Sequence, residues 1–187
     1  MFLHGGFWQD LSKTDSAFAG PAMWSAGAGL VAPDYTLAPH ADLDQIVEEC
    51  RAVLAWLYQH VSSYGGDPNR IVVAGHSAGA HLAAMLLTTD WTSYGLRRHP
   101  VAAAVLIGGV YDLEPLRHTY VNEAVGMDAD QARRNSPIRH PRPRQPVLVS
   151  WGSGETTASK RQSPDLVAAW GTDALEQAGR HHFDAPL

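Results

Sequence analysis

Residues 71–82 are Ile71-Val72-Val73-Ala74-Gly75-His76-Ser77-Ala78-Gly79-Ala80-His81-Leu82. This stretch begins with apolar, mostly β-branched residues that are typical of a buried strand, and it ends in an Ala-rich segment that is typical of a helix. The pentapeptide between them has the pattern G-x-S-x-G. The pattern predicts a nucleophile elbow, a tight strand-to-helix turn in which the glycines avoid clashes with neighbouring backbone.

An elbow of this kind places Ser77 beside the positive end of the following helix, where its hydroxyl can attack a carbonyl carbon. The N–H group of Ala78 then faces the oxyanion that forms. The alternative interpretation is an ordinary glycine-rich turn that opens a crossover helix. The strand before the pentapeptide and the helix after it favour the elbow.

Apolar runs and helical periodicity alternate along the rest of the chain. Apolar runs predict strands at 1–3, 29–33, 70–74, 101–107, 146–151 and 174–178. Helices are predicted at 15–28, 42–60, 77–88 and 159–170, with a helical excursion at 112–139. Strands that alternate with helices imply parallel pairing through crossover connections. The sequence therefore predicts an α/β fold with a mostly parallel sheet and helices on both faces.

The composition is that of a soluble globular enzyme. The chain has 187 residues, of which 45% are hydrophobic and 18% are charged. A net charge of −5 argues against nucleic acid or an anionic membrane as a partner. Cys50 is the only cysteine and lies on an apolar helical face, so we expect a core residue in a reducing, cytoplasmic setting. We predict neither a signal peptide nor a membrane span, since no apolar run approaches about 18 residues.

The candidate base and acid for the serine follow from the positions at which the predicted strands end. A serine needs a base within hydrogen-bond reach, and the base needs an orienting acid. Reactive groups gather at the carboxyl ends of parallel strands. Glu155 follows the run that ends at Trp151, and His182 follows the last predicted strand. The order Ser77, Glu155, His182 is the nucleophile–acid–histidine order of α/β-hydrolases.

Two of these assignments have alternatives. Asp165 or Asp184 could replace Glu155 as the acid, and His181 could replace His182 as the base. A metal site is not predicted, because no cluster of His, Asp and Glu shows a ligand spacing such as H-E-x-x-H. No cofactor is predicted either.

A second oxyanion element is predicted near the start of the chain. His4-Gly5-Gly6 follows the first apolar run, and its glycines allow backbone N–H groups to approach a substrate carbonyl. We expect the N–H groups of Gly5 and Gly6 to act together with that of Ala78. His4 is expected to border the substrate and to brace this loop by hydrogen bonding.

Motifs spread over nearly the whole chain resemble those of kynurenine formamidases (arylformamidases), a family of the α/β-hydrolase superfamily. They are His4-Gly5-Gly6-Phe7-Trp8, Tyr35-Thr36-Leu37-Ala38-Pro39, the segment Gly75 to Leu82, Asp112-Leu113-Glu114-Pro115-Leu116, Asn135-Ser136-Pro137, Glu155-Thr156 with Arg161-Gln162-Ser163, and His182-Phe183-Asp184. The pair of H-G-G-aromatic-W and G-H-S-A-G-A-H-L is more specific than G-x-S-x-G alone. The resemblance implies hydrolysis of N-formyl-kynurenine to kynurenine and formate, in tryptophan breakdown, with Ser77 as nucleophile, Glu155 as acid and His182 as base.

The small formyl group suggests a crowded acyl pocket. Phe7 and Trp8 are predicted walls of that pocket. Tyr120 and Asn122 lie in the helical excursion and are predicted to touch the amino-acid end of the substrate.

The resemblance also bears on the extent of the chain. Family members have further strands before H-G-G and usually a helix after the catalytic histidine. We therefore expect residues 1–187 to form a single α/β-hydrolase domain that lacks the first strands and is truncated at the N-terminus and also at the C-terminus. The sheet edge that this exposes makes a homodimer possible.

Two other functions compete with the formamidase. One is a carboxylesterase of the hormone-sensitive-lipase type, which would use the same triad on short acyl esters. The other is a non-catalytic truncated homologue that binds a ligand or assembles with a partner. Relative rates on formyl-anilides and short acyl esters would distinguish the first, and labelling of Ser77 with a fluorophosphonate would distinguish the second.

Overall fold

The computed structural model describes all 187 residues. Five strands form one sheet, and every neighbouring pair is parallel. In spatial order the strands are β1 (Phe2–Leu3), β2 (Val72–His76), β3 (Ala103–Ile107), β4 (Val147–Gly152) and β5 (Asp173–Gln177). The α-helices are α1 (Gly20–Ser25), α2 (Leu43–His60), α3 (Ala78–Leu87), α4 (Val121–Val125), α5 (Ala129–Arg134) and α6 (Thr157–Trp170). Short 3₁₀ helices lie at Lys13–Ala19, Val61–Tyr64, Pro68–Arg70, Trp91–Tyr94, Glu114–His118 and Pro137–Arg139. The predicted parallel α/β architecture is confirmed.

Two predicted elements differ from the structure. The strand predicted at 29–33 is wrong: a single backbone hydrogen bond, from Phe2 N to Val31 O at 2.8 Å, joins this segment to β1. Because β1 is only two residues long, residues 29–33 cannot form an extended series of backbone hydrogen bonds with it. The helix predicted at 15–28 is divided into a 3₁₀ helix and α1, since Pro21 cannot continue a preceding helix but suits the first turn of a new one.

Helices α2 and α3 provide much of the core on one side of the sheet. The carboxylate of Asp42 caps α2 by accepting the Gln45 N–H at 2.9 Å. The buried side of α2 is the amphipathic stripe that the sequence predicts, and it consists of Leu43, Ile46, Val47, Cys50, Leu54 and Leu57. Every residue of α3 is buried, so this helix is enclosed by its neighbours on all sides. Cys50 is 2% exposed, which confirms it as a core residue.

The other side of the sheet is covered less completely. Phe2 is in register with Ala74, so both side chains lie on this second face. The ring of Phe18, in the first 3₁₀ helix, packs edge-on against Phe2 with centroids 5.8 Å apart. Helical structure therefore covers the second face near β1. Farther along, Val72 is 43% exposed and alternate residues of β3 are only partly buried.

Parallel pairing places the carboxyl ends of all strands at one edge of the sheet. The segments that leave this edge begin with Ser77 after β2, Gly108 after β3, Ser153 after β4 and Ala178 after β5. The loop that starts at His4 leaves the same edge after β1. The predicted site residues are thus brought to one edge by topology alone. None of the helices combines the length and the apolar character that crossing a membrane requires.

Candidate active site

Ser77 occupies a strained turn between β2 and α3. Its backbone has φ 56° and ψ −121°, a left-handed conformation that is unusual for a residue with a side chain. A Cβ on Gly75 would clash with the backbone of Gly79, and a Cβ on Gly79 would clash with the carbonyl group of Leu3. The turn is fixed from the next strand by a hydrogen bond from Ser77 N to Ile107 O at 2.9 Å. This is the elbow geometry that the pentapeptide predicts, with strain held by the surrounding sheet.

The predicted oxyanion groups lie beside the serine. A Cβ on Gly5 would be 3.1 Å from Ser77 Cβ, so the loop backbone lies against the nucleophile. The N–H groups of Gly5 and Gly6 donate no hydrogen bond within the chain. The N–H of Ala78 belongs to the first turn of α3 and therefore has no acceptor inside the helix. The unoccupied donors of Gly5 and Ala78 thus lie next to Ser77, and that of Gly6 follows in the same loop.

His4 and Tyr35 contact the back of the loop at residues 4–9, called the oxyanion loop below. The Tyr35 hydroxyl lies 3.0 Å from His4 O and 3.1 Å from Gly5 O, and its ring stacks on the His4 ring with centroids 4.2 Å apart. His4 Nδ1 donates to Gly5 O at 3.0 Å. Burial lowers the pKa of His4, which favours the neutral ring. These contacts correspond to the bracing role expected of His4.

Phe7 and Trp8 continue this loop in left-handed conformations, with φ 49° and 62°. Phe7 is 37% exposed and remains available to line a pocket. Trp8 is fully buried, and its Nε1–H donates to His81 Nδ1 at 3.2 Å. His81 Nε2 in turn donates to Asn135 O at 2.7 Å. The geometry therefore favours a supporting role for Trp8 over the substrate contact that the sequence predicts.

Glu155 and His182 form a hydrogen-bonded pair. Glu155 Oε2 lies 3.0 Å from His182 Nδ1, and the carboxylate is buried. Glu155 also accepts the Gly152 N–H at Oε1 (3.0 Å) and the Ser159 hydroxyl at Oε2 (2.7 Å). Burial opposes ionisation of Glu155, but the hydrogen bonds from His182, Ser159 and Gly152 outweigh it and lower its pKa to about 2. The ionised carboxylate orients His182 with its proton on Nδ1 and leaves Nε2 free as a base.

The hydroxyl of Ser77 makes no hydrogen bond to His182 in the structure. The residue is 5% exposed and lies at the N-terminus of α3. Contacts between nucleophile and base often tighten only when substrate is bound. The structure thus brings Ser77, the oxyanion loop and the Glu155–His182 pair to one edge, with the acid–base contact already formed.

The alternative acid and base residues form contacts with residues near them in the chain and not with His182. Asp184 Oδ1 accepts the His181 N–H at 2.6 Å, within the turn that carries His182. Asp165 pairs with Arg161 one turn earlier on α6. The side chain of His181 is 61% exposed. None of the three is paired with His182, so the geometry favours Glu155 and His182.

The two substrate residues predicted in the helical excursion differ in their surroundings: Tyr120 is exposed, whereas Asn122 forms hydrogen bonds within the excursion. Tyr120 is 72% exposed at the start of α4, and the neighbouring Val121 O accepts Gln9 Nε2 from the oxyanion loop at 3.0 Å. Asn122 spends both amide hydrogens on backbone carbonyls and accepts the Met127 N–H at 2.7 Å. The side chain of Asn122 therefore closes its own helix, which argues against the substrate contact predicted for it.

Three residues with contacts to the acid–base pair were not singled out for the site by the sequence: His76, Gly108 and Ser159. His76 Nε2 lies 2.8 Å from His182 O, and the two imidazole rings are 4.6 Å apart. A Cβ on Gly108 (φ 51°) would lie 3.0 Å from Glu155 Oε1 and 3.1 Å from His182 Nδ1. The available signals were position in the elbow for His76 and a glycine at a strand end for Gly108.

The arrangement is suited to acyl transfer by an activated serine. It combines a hydroxyl on a strained turn, backbone donors for an oxyanion and a carboxylate-oriented histidine. The structure contains no group of three or more His, Cys, Asp or Glu residues that could hold a metal ion.

Comparison with known proteins agrees with this geometry. A family model described as alpha/beta hydrolase fold matches residues 1–184. The chain is 43% identical to a kynurenine formamidase of Danio rerio over 139 residues, which are 74% of this chain and 46% of the relative. It is 35% identical to a kynurenine formamidase of Salmo salar over 175 residues, which are 90% of this chain and 58% of the relative. The resemblance that the motifs indicate is confirmed.

A solved structure shows the same architecture. The crystal structure of a proposed thioesterase from Silicibacter sp. superposes with a TM-score of 0.84 at 33% identity, over 98% of this chain and 68% of that one. The chain spans about half the length of the kynurenine formamidases that it matches, 46% and 58% in the two cases above.

Proposed function

This chain belongs to the α/β-hydrolase fold family, and we propose that it is a serine hydrolase that cleaves the formamide bond of N-formyl-kynurenine to give kynurenine and formate. The observation that carries the hydrolase assignment is the strained Ser77 beside the Gly5 backbone, at the same sheet edge as the Glu155–His182 pair. The similarity to kynurenine formamidases supports the choice of substrate.

The proposed reaction begins with attack on the formyl carbon. His182 Nε2 removes the proton of Ser77 as Oγ bonds to that carbon, and the carbonyl oxygen becomes an oxyanion. The N–H groups of Gly5, Gly6 and Ala78 stabilise this charge, which is greater in the transition state than in the substrate.

Collapse of the tetrahedral intermediate releases the arylamine. The carbon–nitrogen bond breaks, and the protonated His182 gives its proton to the leaving nitrogen. Water, deprotonated by His182, then attacks the carbon of the formyl ester on Ser77. The bond from this carbon to Oγ breaks, His182 returns the proton to Oγ, and formate is released. Glu155 stays ionised throughout and stabilises the imidazolium.

A test compares the wild type with Ser77→Ala on N-formyl-kynurenine, with kynurenine followed by its absorbance. We expect turnover in the wild type and its loss in the variant, because the alanine removes the attacking oxygen. An Asp165→Asn variant serves as a control, since Asp165 lies on α6 and pairs only with Arg161. A well-folded wild type without turnover would contradict the formamidase proposal.

A carboxylesterase is the second candidate, and similar proteins favour it: an esterase and a carboxylesterase of Mycobacterium tuberculosis also match this chain. The same residues would act on a short acyl ester. The ratio of kcat/KM for a formyl-anilide and an acetyl ester distinguishes the two candidates. A non-catalytic homologue would fail to react with a fluorophosphonate at Ser77.

We propose that residues 1–187 form one catalytic domain, which acts on a small molecule and has neither nucleic acid nor membrane as a partner. A cytoplasmic location is supported by one buried, unpaired cysteine. A homodimer through the sheet edge at β1 is supported by the strand order, in which β1 has β2 as its one neighbour in the sheet, and light scattering after gel filtration tests it.

A further inference from the structure

His76 links the strand that carries the nucleophile to the loop that carries the base. It is the last residue of β2 and directly precedes Ser77. Its Nε2 lies 2.8 Å from the carbonyl oxygen of His182, although the two residues are 106 positions apart. A carbonyl oxygen only accepts hydrogen bonds, so His76 carries its proton on Nε2. The bond is therefore formed by the neutral tautomer with its proton on Nε2 or by the fully protonated ring, and not by the neutral tautomer with its proton on Nδ1.

The ring of His76 is held in the neutral form. Burial, together with the neighbouring His182, lowers its pKa to about 4. The centroids of the two rings are 4.6 Å apart, and the planes are inclined by 43°. At neutral pH the ring of His76 is therefore uncharged. When His182 takes up a proton, the imidazolium that forms is not repelled by a charge on His76.

The backbone around His182 has few other connections to the sheet. Arg180 O accepts the Gly154 N–H at 2.8 Å, and Ala185 O accepts Gln177 Nε2 at 2.9 Å. Between these two points the backbone N–H groups bond only within the turn itself. The bond from His76 is the one hydrogen bond that joins the backbone of residues 181–184 to a residue that precedes position 180.

The opposite side of His76 lies against the oxyanion loop. A Cβ on Gly5 would be 3.0 Å from His76 O and 3.5 Å from His76 Nδ1. His76 is therefore in contact with the two catalytic elements that come from the two ends of the chain. Its side chain therefore lies between the Gly5 backbone and the carbonyl oxygen of His182.

We propose that His76 is a positioning residue: by donating from Nε2 to His182 O, it fixes the turn that holds the general base opposite Ser77. The proposal rests on the proposed hydrolase function. It assigns a role to the second residue of the pentapeptide, which neither attacks the substrate nor binds the oxyanion.

Two variants of His76 separate the hydrogen bond from packing. His76→Gln keeps an N–H donor but removes the ring, and His76→Phe keeps a ring but removes the donor. We expect kcat for p-nitrophenyl acetate to fall about 10- to 100-fold in His76→Phe with KM changed less than about threefold, since misplacement of a catalytic group acts on kcat. His76→Gln is expected to retain most of the wild-type kcat. A role in packing alone predicts the reverse order and would overturn the proposal.

His99→Phe is the matched control. His99 Nε2 also bonds to a backbone carbonyl, Leu87 O at 3.2 Å, and its ring contacts Trp91 with centroids 6.0 Å apart. It lies before β3, at the edge of the sheet opposite Ser77. This variant loses the same kind of bond, together with the one that His99 Nδ1 accepts from Val101 N at 3.2 Å, and is expected to keep the wild-type kcat. If His76→Phe does not fold, His76→Leu replaces it in the comparison.

A spectroscopic measurement separates this proposal from the proposed function. The Nδ1–H of His182, bonded to Glu155, is expected as a low-field proton resonance in the NMR spectrum of the wild type and of His76→Gln. It is expected to broaden or disappear in His76→Phe, because the turn is no longer fixed. A wild type without hydrolase activity refutes the function, while an unchanged resonance in His76→Phe refutes the positioning role.

Discussion

The hydroxyl of Ser159 donates a 2.7 Å hydrogen bond to Glu155 Oε2, the same oxygen that lies 3.0 Å from His182 Nδ1. Ser159 belongs to the first turn of α6, which Thr156 caps. The start of this helix therefore sets the orientation of the acid, and the acid sets that of the imidazole. Two residues that look like an ordinary helix start in the sequence thus contribute to the orientation of the Glu155–His182 pair.

Ser159→Ala is expected to lower kcat about 10-fold, because a hydrogen bond to a charged group contributes about 1.5–3 kcal/mol and part of that is lost through reorientation of Glu155. Steady-state kinetics on an ester or formamide measures the effect. Thr157→Ala is the control, since it removes a hydroxyl from the same turn without a contact to Glu155. An equal effect of both variants would show that the helix, not the bond, is responsible.

Glu155→Gln is expected to lower kcat by about 1,000-fold or more, because the amide keeps the shape but neither stabilises the imidazolium nor fixes the correct tautomer. Asp184→Asn tests the alternative acid. Asp184 accepts only the His181 N–H and forms a long ion pair with Arg180, so kcat is expected to stay within about threefold of the wild type. A larger loss in Asp184→Asn than in Glu155→Gln would reassign the acid.

Gly108→Ala is expected to reduce activity more than stability. The backbone at Gly108 has φ 51°, so a side chain costs about 1–2 kcal/mol in strain. Its Cβ would also press on Glu155 Oε1 and His182 Nδ1 at 3.0 and 3.1 Å. Both contacts would displace the acid–base pair, and we expect a loss in kcat of about 10-fold or more.

Gly126→Ala provides the comparison for Gly108→Ala. Gly126 has φ 68° at the C-terminus of α4, and a Cβ added there would meet no atom within 4 Å. The two variants therefore share the backbone strain and differ in the contact with the site. Similar shifts in urea midpoint together with similar activities would refute the role of Gly108.

The site could be predicted where its chemistry is local in the sequence. Gly75 and Gly79 flank Ser77 within five residues, and the two glycines after His4 leave free N–H groups. Alternation of strands and helices then sufficed to bring these segments to one edge. Such features depend on backbone conformation, which short motifs specify.

Features that depend on tertiary contacts could not be predicted in this way. Trp8 is expected from the sequence to line the acyl pocket, but its indole finds a partner in His81, 73 residues away. Likewise the pairing of His76 with His182 spans 106 residues. Sequence spacing says nothing about such contacts, because they arise only when the sheet has assembled.

Stability is expected to fall as the pH is lowered from 7 to 5. Burial lowers the pKa of His81 to about 4, whereas an unfolded histidine has a pKa near 6.5. The unfolded chain therefore binds the proton in the window between these values while the folded chain does not, and this favours unfolding. For His81 alone the loss at pH 5 amounts to about 2 kcal/mol.

Protonation of His81 would lower the free energy of unfolding and would also disturb the candidate active site, because the neutral ring supports the oxyanion loop. Its Nδ1 accepts from Trp8 and its Nε2 donates to Asn135 O, so a protonated ring would lose the acceptor that holds the oxyanion loop. His76, with its pKa lowered to about 4, adds a contribution of the same sign. Urea unfolding followed by tryptophan fluorescence at pH 7, 6 and 5 measures the sum. Equal free energies of unfolding at pH 7 and 5 would mean that these histidines are already solvated in the folded protein.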